Sequence, residues 1–182
     1  MQADEPTDEP IRSERLALPL LSLDQLDSLA ADEGASVGGD LHAILPVPWL
    51  DEVRWIAGVR AQQLRLRPAD APWLLRPILL HATDGAPRAV GYLNFHAGPD
   101  DEGMVEIGYT LLPEARGQGY AIEAVRAAID WATSVHGVHR IRASIAPDNE
   151  RSLHLVTKLG FRQTGEQWDK EDGLELVFEL ER

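Results

Sequence analysis

The sequence predicts a single α/β domain, with a mixed, largely antiparallel sheet of about seven strands flanked by about four helices. The length of 182 residues suits one domain. Hydrophobic residues make up 44% and charged residues 26% of the chain, as in ordinary globular proteins. Segments with the spacing of strands and segments with the spacing of helices follow one another along the chain. Together these observations predict a sheet with helices packed against it.

The first half of the chain combines strand, helix and loop signals. Alternating leucines predict a first strand within residues 11–21, and the sequence Ser-Leu-Asp at 22–24 is typical of a helix start. Glycines and prolines predict a loop, with at most short helical pieces, over residues 34–48. Apolar residues with helical spacing then predict a longer helix over residues 49–66.

The second half has a clearer succession of elements. Asn149 is a suitable N-cap for its last helix, and Gly160 stands where a glycine often ends a helix. The predicted elements are strands over 75–81, 89–97 and 104–112, a long helix over 119–135, a strand over 140–146, a helix over 149–160, and strands over 161–167 and 174–180 with a turn near 172–173.

Charge and composition exclude several kinds of protein. The net charge of −13 predicts repulsion from nucleic acids and from anionic membranes. The chain has no cysteine, which excludes disulfides, thiolate metal sites and a cysteine nucleophile, and its six histidines lack metal-ligand spacing. Residues 1–10 are acidic and contain prolines, so we expect a flexible tail before a domain over residues 11–182. With no basic leader and no long apolar run, we expect a cytoplasmic location.

One turn between a strand and a helix carries a chemical signal. It contains Gly117 and Gly119, which allow backbone N–H groups to converge at a helix N-terminus, a suitable place for a phosphate or pyrophosphate. The glycine spacing fits neither a Rossmann fingerprint nor a Walker loop, and alone it is equally typical of a structural turn. However, residues 116–162 contain seven basic and four acidic residues, an excess that favours an anionic ligand. The seven are Arg116, Arg126, Arg140, Arg142, Arg151, Lys158 and Arg162.

Two segments together resemble a known family. VEIGYTLLPEARGQGYAIEAV at 105–125, which includes Arg116-Gly117-Gln118-Gly119-Tyr120-Ala121, and PDNERSLHLVTKLGF at 147–161 are similar to the GNAT superfamily of N-acetyltransferases, in particular its RimJ/RimL-like branch. The resemblance implies that residues 11–182 form an acetyltransferase domain. It also implies a central sheet that is splayed at the site of acetyl-CoA, the cosubstrate, with no metal.

The resemblance assigns residues to that cosubstrate. It implies that the backbones of Leu111 and Leu112 pair with the pantetheine arm, and that one backbone N–H there polarises the acetyl carbonyl. The amides from Gly117 to Ala121 would hold the pyrophosphate, and Asn149 would lie beside the pantetheine. The complete implied set is Leu111, Leu112, Arg116, Gly117, Gln118, Gly119, Tyr120, Ala121 and Asn149.

Two residues are candidates for catalysis. Glu106 is the one carboxylate in the strand over 104–112, and the resemblance implies that it is the general base, directly or through water. Its alternative role is to face solvent or to pair with an arginine. Ser152 matches the serine of the RimJ/RimL-like pattern and is the candidate general acid near the sulfur. Many relatives instead have a tyrosine at the position of Val156, while Tyr109 is expected to be a packing residue.

These residues predict acetyl transfer from acetyl-CoA to a primary amine by direct attack in a ternary complex. The acceptor is either a protein N-terminus or a small amine, and Trp49, Trp55 or Trp73 could line its pocket. The alternative is a non-catalytic, acyl-CoA-binding regulatory module of the same fold, which the departure at Val156 would suit. Homodimers are common in such families, so a homodimer is a further expectation.

Overall fold

The computed structural model describes residues 9–134, 138–170 and 173–182. Three predicted features therefore lie wholly or partly outside the described residues. They are the acidic tail, of which residues 1–8 are not described, the end of the long helix at Val135, and Asp172 of the last predicted turn.

The described chain forms one eight-stranded sheet in the order β1-β2-β3-β4-β5-β6-β8-β7. The pair β5–β6 is parallel and the other neighbouring pairs are antiparallel, which confirms the prediction of a mixed, largely antiparallel sheet. The strands are β1 (Ile11–Arg12), β2 (Leu16–Leu18), β3 (Arg76–Leu80), β4 (Arg88–Phe95), β5 (Met104–Leu111), β6 (Arg140–Ile145), β7 (Arg162–Asp169) and β8 (Gly173–Glu181).

The predicted first strand is in fact two short strands. A tight turn joins them, because Ser13 N–H donates to the Leu16 carbonyl at 2.9 Å and Ser13 Oγ accepts from Leu16 N–H at 3.2 Å. The chain thereby reverses, and β1 pairs antiparallel with β2. The sheet has eight strands instead of the predicted seven for this reason.

Five α-helices are described: α1 (Leu23–Ala30), α2 (Gly34–Asp40), α3 (Val47–Leu66), α4 (Tyr120–Ser134) and α5 (Glu150–Lys158). Residues 34–48 contain the short helix α2, which the prediction of a loop with at most short helical pieces allowed, and α3 begins two residues before the predicted start at 49. Pro48 stands in the first turn of α3, where a missing backbone N–H costs little. Gly34 packs against Leu50, and a Cβ at position 34 would lie within 3 Å of that side chain. Close packing, which local propensity does not report, therefore explains a glycine within α2.

Two apolar cores lie on opposite faces of the sheet. Val90 belongs to the core under α4 and α5, and its neighbour Ala89 belongs to the core under α1, α2 and α3. Because successive strand residues point to opposite faces, the helices cover the sheet from both sides. Among the described helices, none is long and apolar enough to cross a membrane.

Candidate functional site

The sheet divides in two between β5 and β6. Their parallel pairing covers three residues of each strand, from Met104 opposite Arg140 to Glu106 opposite Arg142. Beyond this point β5 stays paired with β4 up to Leu111, while β6 stays paired with β8 up to Ile145. A wedge-shaped gap therefore opens between two strands that each keep one neighbour.

A turn of two glycines stands at the wide end of this gap. Gly117 and Gly119 have φ angles of +77° and +81°, in the left-handed region that favours glycine. Apart from its two chain neighbours, no described residue has an atom within 4 Å of where a Cβ on Gly117 would be, so its open side can receive a ligand. The helix α4 begins directly afterwards at Tyr120, and its N-terminus adds partial positive charge.

The segment before β2 braces this turn, which the sequence did not indicate. Arg15 Nε donates to Glu123 Oε2 at 2.7 Å, and one terminal nitrogen of Arg15 donates to the Gln118 carbonyl at 3.1 Å. Ser13 and the backbone N–H of Arg15 donate to the other oxygen of Glu123. Burial alone would raise the pKa of Glu123, but these hydrogen bonds outweigh it and hold the pKa below its ordinary value.

The gap and the turn together form a cleft of about 1000 Å³. Its walls come from the end of β5, the glycine turn with the start of α4, and the first turns of α5. Three of the seven basic residues noted in the sequence line it: Arg116, Arg151 and Lys158. Two others, Arg140 and Arg142, do not line the cleft and are paired with carboxylates of β8. Arg140 Nε donates to Glu181 at 2.9 Å, and Arg142 donates to Glu179 at 2.7 Å.

The backbone of β5 faces the cleft at alternate residues. The Glu106 carbonyl and the Leu112 N–H are both hydrogen-bonded to β4 or its extension, at His96 and Val90. Because backbone polar groups alternate in direction along a strand, those of Tyr109 and Leu111 point toward the cleft. Leu111 therefore faces the cleft as expected, although its carbonyl accepts from Arg116 Nε at 3.0 Å. Leu112 does not, because its N–H already donates to the Val90 carbonyl at 2.9 Å.

The start of α5 forms the opposite wall. The Asn149 Oδ1 accepts from Ser152 N–H at 3.2 Å, so Asn149 is the N-cap that the sequence indicated. Asn149 and Ser152 both line the cleft, and so does Tyr109 from β5. Val156 is instead 1% exposed and belongs to the core under α4 and α5.

Glu106 lies where β5 and β6 separate, in a polar group on the sheet. Its Oε1 accepts from Ser144 Oγ of β6 at 2.6 Å and lies 3.8 Å from His96 Nδ1. Gln167 of β7 donates to Ser144 Oγ at 3.1 Å. The Glu106 side chain is 19% exposed, and its neighbours are a hydroxyl and an imidazole instead of the arginine considered in the sequence.

Sequence analysis identified Glu106 alone in this group, and it missed Ser144, Gln167 and His96. Half of the His96 side chain is exposed, yet burial lowers its pKa, while Glu106 opposes that change and Arg60 adds to it. The helix α3 fixes the chain here, because Gln63 Nε2 donates to the His96 carbonyl at 2.9 Å. The pairing of the predicted strands could have indicated His96, because this residue directly follows β4 and lies beside Glu106 of the neighbouring strand β5.

The tryptophans considered for the acceptor pocket, Trp49, Trp55 and Trp73, do not gather at this site. Trp49 is fully buried, and its Nε1 donates to the Gly91 carbonyl at 2.7 Å. Trp73 packs against Phe95 and Trp131 in the other core, whereas Trp55 is 66% exposed on α3. No group of three or more metal-ligating side chains occurs within residues 9–134, 138–170 and 173–182.

Comparison with known proteins gives a consistent result. The family profile of the acetyltransferase (GNAT) domain matches residues 21–162. The N-acetyltransferase YjdG of Bacillus subtilis, itself uncharacterised, is 42% identical over 72 residues, which are 40% of this chain and 43% of YjdG. The alanine N-acetyltransferase of ribosomal protein uS5 from Escherichia coli is 37% identical over 59 residues, 32% of this chain and 30% of that enzyme. The chain thus spans less than half the length of these curated relatives.

The same fold occurs in a solved structure of RimL, an α-N-protein acetyltransferase of ribosomal L7/L12, in complex with coenzyme A. The two chains superpose with a TM-score of 0.63 at 17% identity, covering 95% of this chain and 98% of RimL. At this identity the likeness establishes the fold alone.

Proposed function

Because this chain belongs to the GNAT acetyltransferase family, we propose that it transfers the acetyl group of acetyl-CoA to a primary amine within a ternary complex. The observation that carries the proposal is the cleft between β5 and β6. Its volume of about 1000 Å³ is at the upper end of ordinary ligand sites.

The lining of the cleft fits the chemistry of acetyl-CoA. The glycine turn and the N-terminus of α4 suit the pyrophosphate, since Gly117 leaves the backbone amides open to a ligand. Arg151 and Lys158 add full positive charges on α5. The outward-facing amides of Tyr109 and Leu111 suit the amide groups of a pantetheine arm, which would extend the sheet as an added strand does.

Acetyl-CoA would supply the acetyl group as a thioester: a carbon–nitrogen bond forms to the amine, the carbon–sulfur bond breaks, and CoA leaves as a thiolate. Glu106 is the proposed base that accepts the proton of the amine, directly or through water. It stands at the vertex of the gap, where the two strands separate. Ser144 fixes its carboxylate by donating a hydrogen bond at 2.6 Å, and the His96 ring lies 3.8 Å away. The lowered pKa of His96 keeps that imidazole neutral at neutral pH, so it does not hold Glu106 as an ion pair.

Two further groups of this chain would serve the transfer. A β5 amide that faces the cleft would donate to the acetyl oxygen as negative charge develops on it. Ser152 would donate its hydroxyl proton to the departing sulfur and regain a proton from water. Its place in the first turn of α5, on the cleft wall, supports this role.

The acceptor would approach the polar group around Glu106. Glu175 of β8 lies within the same network, since Gln167 Nε2 donates to its Oε2 at 2.9 Å. These carboxylates favour a positively charged amine. Both a protein N-terminus and a small amine meet that requirement. We also propose that the protein is cytoplasmic and that it forms a homodimer, as the sequence predicts.

The test begins with calorimetric titration of the protein with acetyl-CoA, followed by a transfer assay. The acceptors are peptides beginning with alanine or serine, and spermidine. Released CoA is measured with a thiol reagent, which reports CoA alone because the chain has no cysteine. We expect binding, and transfer that Glu106→Gln lowers by about 10²- to 10⁴-fold in kcat without loss of acetyl-CoA affinity.

The matched control is Glu166→Gln, an exposed carboxylate of β7, which should leave transfer unchanged. Failure of the folded protein to bind acetyl-CoA would refute the proposal. Binding without transfer to any of the three acceptors would favour the non-catalytic acyl-CoA-binding module instead.

A further inference from the structure

A chain of hydrogen bonds leads from the outer strands of the sheet to Glu106. Gln167 Nε2 of β7 donates to Glu175 Oε2 of β8 at 2.9 Å and to Ser144 Oγ of β6 at 3.1 Å. Ser144 Oγ in turn donates to Glu106 Oε1 of β5 at 2.6 Å. The hydrogen bonds therefore connect four strands, and they end on the carboxylate that is the proposed base.

Glu175 sets which end of the Gln167 amide meets Ser144. An ionised carboxylate can only accept hydrogen bonds, so it requires the amide nitrogen of Gln167 and not the amide oxygen. This nitrogen carries two hydrogens, and it donates the second one to Ser144 Oγ. Gln167 therefore contacts Ser144 as a donor.

The direction of the Ser144 hydroxyl follows from this contact. The hydroxyl has one hydrogen, and its hydrogen-bond partners among the described residues are Gln167 and Glu106. Because Gln167 donates, the Ser144 hydrogen is directed to Glu106, where an ionised carboxylate accepts it more strongly than a neutral carboxyl group does. If the Gln167 amide were turned over, its oxygen would compete with Glu106 for the same hydrogen.

We propose that Gln167, oriented by Glu175, is a positioning residue that acts through Ser144 to fix the Glu106 carboxylate and to favour its ionised form. The inference rests on the proposed function, in which Glu106 is the base. No proton passes along these hydrogen bonds. Gln167 and Ser144 keep their hydrogens, and Glu106 alone exchanges a proton with the amine.

Charged groups outside these hydrogen bonds also surround Glu106, and the main test leaves them unchanged. His96 Nδ1 lies 3.8 Å from Glu106 Oε1. The strand register places an arginine opposite Glu106, but a carboxylate of β8 is already paired with that arginine. Substituting Ser144 or Gln167 with an uncharged residue alters none of these charges. The groups are His96 of β4, Arg60 of α3, which acts on His96, and the ion pair of Arg142 with Glu179.

The test follows the Glu106 carboxyl carbon by NMR as the pH is lowered, in the ligand-free protein labelled with ¹³C-glutamate. The signal that is missing from Glu106→Gln identifies this carbon. Ser144→Ala removes the donor and should raise the pH at which Glu106 takes up its proton by about one unit. Gln167→Met keeps the size of the side chain but cannot donate, and it should raise that pH by about half as much. The fall of kcat at low pH in the transfer assay should move by the same amounts.

The double variant Ser144→Ala/Gln167→Met should titrate as Ser144→Ala alone, because Gln167 acts only through Ser144. Glu175→Gln leaves the Gln167 amide free to turn, so it should also raise the midpoint of the Glu106 titration. We measure this variant in about 1 M salt, which screens charge effects, since loss of the Glu175 charge alone would lower the midpoint. Glu166→Gln is the matched control: it lies on the other face of β7 and should titrate as the wild type.

The inference is overturned if Gln167→Met titrates as the wild type, or if the double variant shifts further than Ser144→Ala. An unchanged or lowered midpoint in Glu175→Gln would overturn the role of Glu175. The NMR titration needs no acetyl-CoA, so the two proposals can fail separately. The expected shifts in a folded protein that binds no acetyl-CoA would refute the proposed function and not the action of Gln167 on Glu106.

Discussion

Gly117 is the residue at which a role in the fold and the proposed role in binding a ligand can be separated by experiment. Its φ of +77° favours glycine, and apart from its chain neighbours no described residue approaches its open side. Gly173 offers a comparison: its φ is +80°, no described residue beyond its chain neighbours lies within 4 Å of its Cβ direction, and it stands at the start of β8, outside the residues that line the cleft. Because an alanine at either site would strain the backbone equally, a difference in ligand affinity between the two variants reports contact with the ligand and not backbone conformation.

Gly117→Ala should therefore weaken acetyl-CoA binding, whereas Gly173→Ala should not. Each substitution strains the left-handed backbone by about 1 kcal/mol, so the two variants should lose similar stability. The added methyl group of Gly117→Ala also occupies the space in front of the turn amides, and we expect a loss of affinity of about tenfold or more. Titration calorimetry and thermal unfolding of both variants decide this. Equal affinities would mean that the turn is purely structural.

Among single residues, a sequence pattern can identify those that are needed for a particular backbone conformation, such as a turn or a helix cap. Gly117 and Asn149 were predicted as a turn glycine and an N-cap, and both take those conformations. His96 was not identified, because its place beside Glu106 depends on the pairing of β4 with β5. Leu112 was assigned to the cosubstrate, but strand alternation turns its N–H toward β4.

The helix α4 depends on a segment about a hundred residues earlier in the chain. Its first-turn residue Glu123 is held by Ser13 and by Arg15, which also stacks 4.6 Å from the Tyr120 ring. A negative charge in the first turn also suits the helix dipole. The two short strands that bring this segment here were not separated by sequence analysis, since the turn at Ser13 is defined by its own hydrogen bonds and not by glycine or proline.

Glu123→Gln should destabilise the protein by about 1 kcal/mol at neutral pH, because Arg15 is 43% exposed and solvent screens the pair. The pKa of Glu123 is lowered in the folded state. Its stabilisation is therefore complete above the ordinary glutamate pKa and is lost as the pH falls through the lowered value. Chemical denaturation at neutral and acidic pH should show the difference between the variant and the wild type shrinking in acid. A difference that is constant with pH would contradict the assignment.

At the level of whole elements, α1, α3, α4 and α5 and the central strands follow the predicted periodicity. The helix α2 does not, because its glycines and its acidic end give no helical signal, and it packs against α1 and against Leu50 of α3. Sequence periodicity reports the face that an element buries, and it does not report contacts with neighbouring helices that are made through glycines.

Across the whole molecule, the two parts of the sheet meet in only three residue pairs of β5 and β6, and the core under α4 joins them. Ile107 of β5, Ile141 of β6 and Ile129 of α4 belong to one apolar cluster. The domain therefore stays in one piece although β5 and β6 are not paired along the gap. The burial of apolar side chains under α4 supplies the stabilisation that hydrogen bonds between these strands would otherwise give. The unpaired amides of β5 are the consequence, and they supply a test of where the cosubstrate lies.

Amide hydrogen exchange should distinguish neighbouring residues of this chain. The N–H groups of Tyr109 and Leu111 face the cleft and have no backbone partner among the described residues, so they should exchange rapidly in the free protein. The Leu112 N–H donates to the Val90 carbonyl and should exchange slowly. Saturation with CoA should slow exchange at Tyr109 and Leu111 well beyond the uniform slowing that ligand binding gives all residues through stability. Exchange followed residue by residue by NMR makes this comparison. If the Leu112 N–H gained as much protection from exchange as the Leu111 N–H, CoA would slow exchange only by stabilising the folded protein and not by pairing with β5.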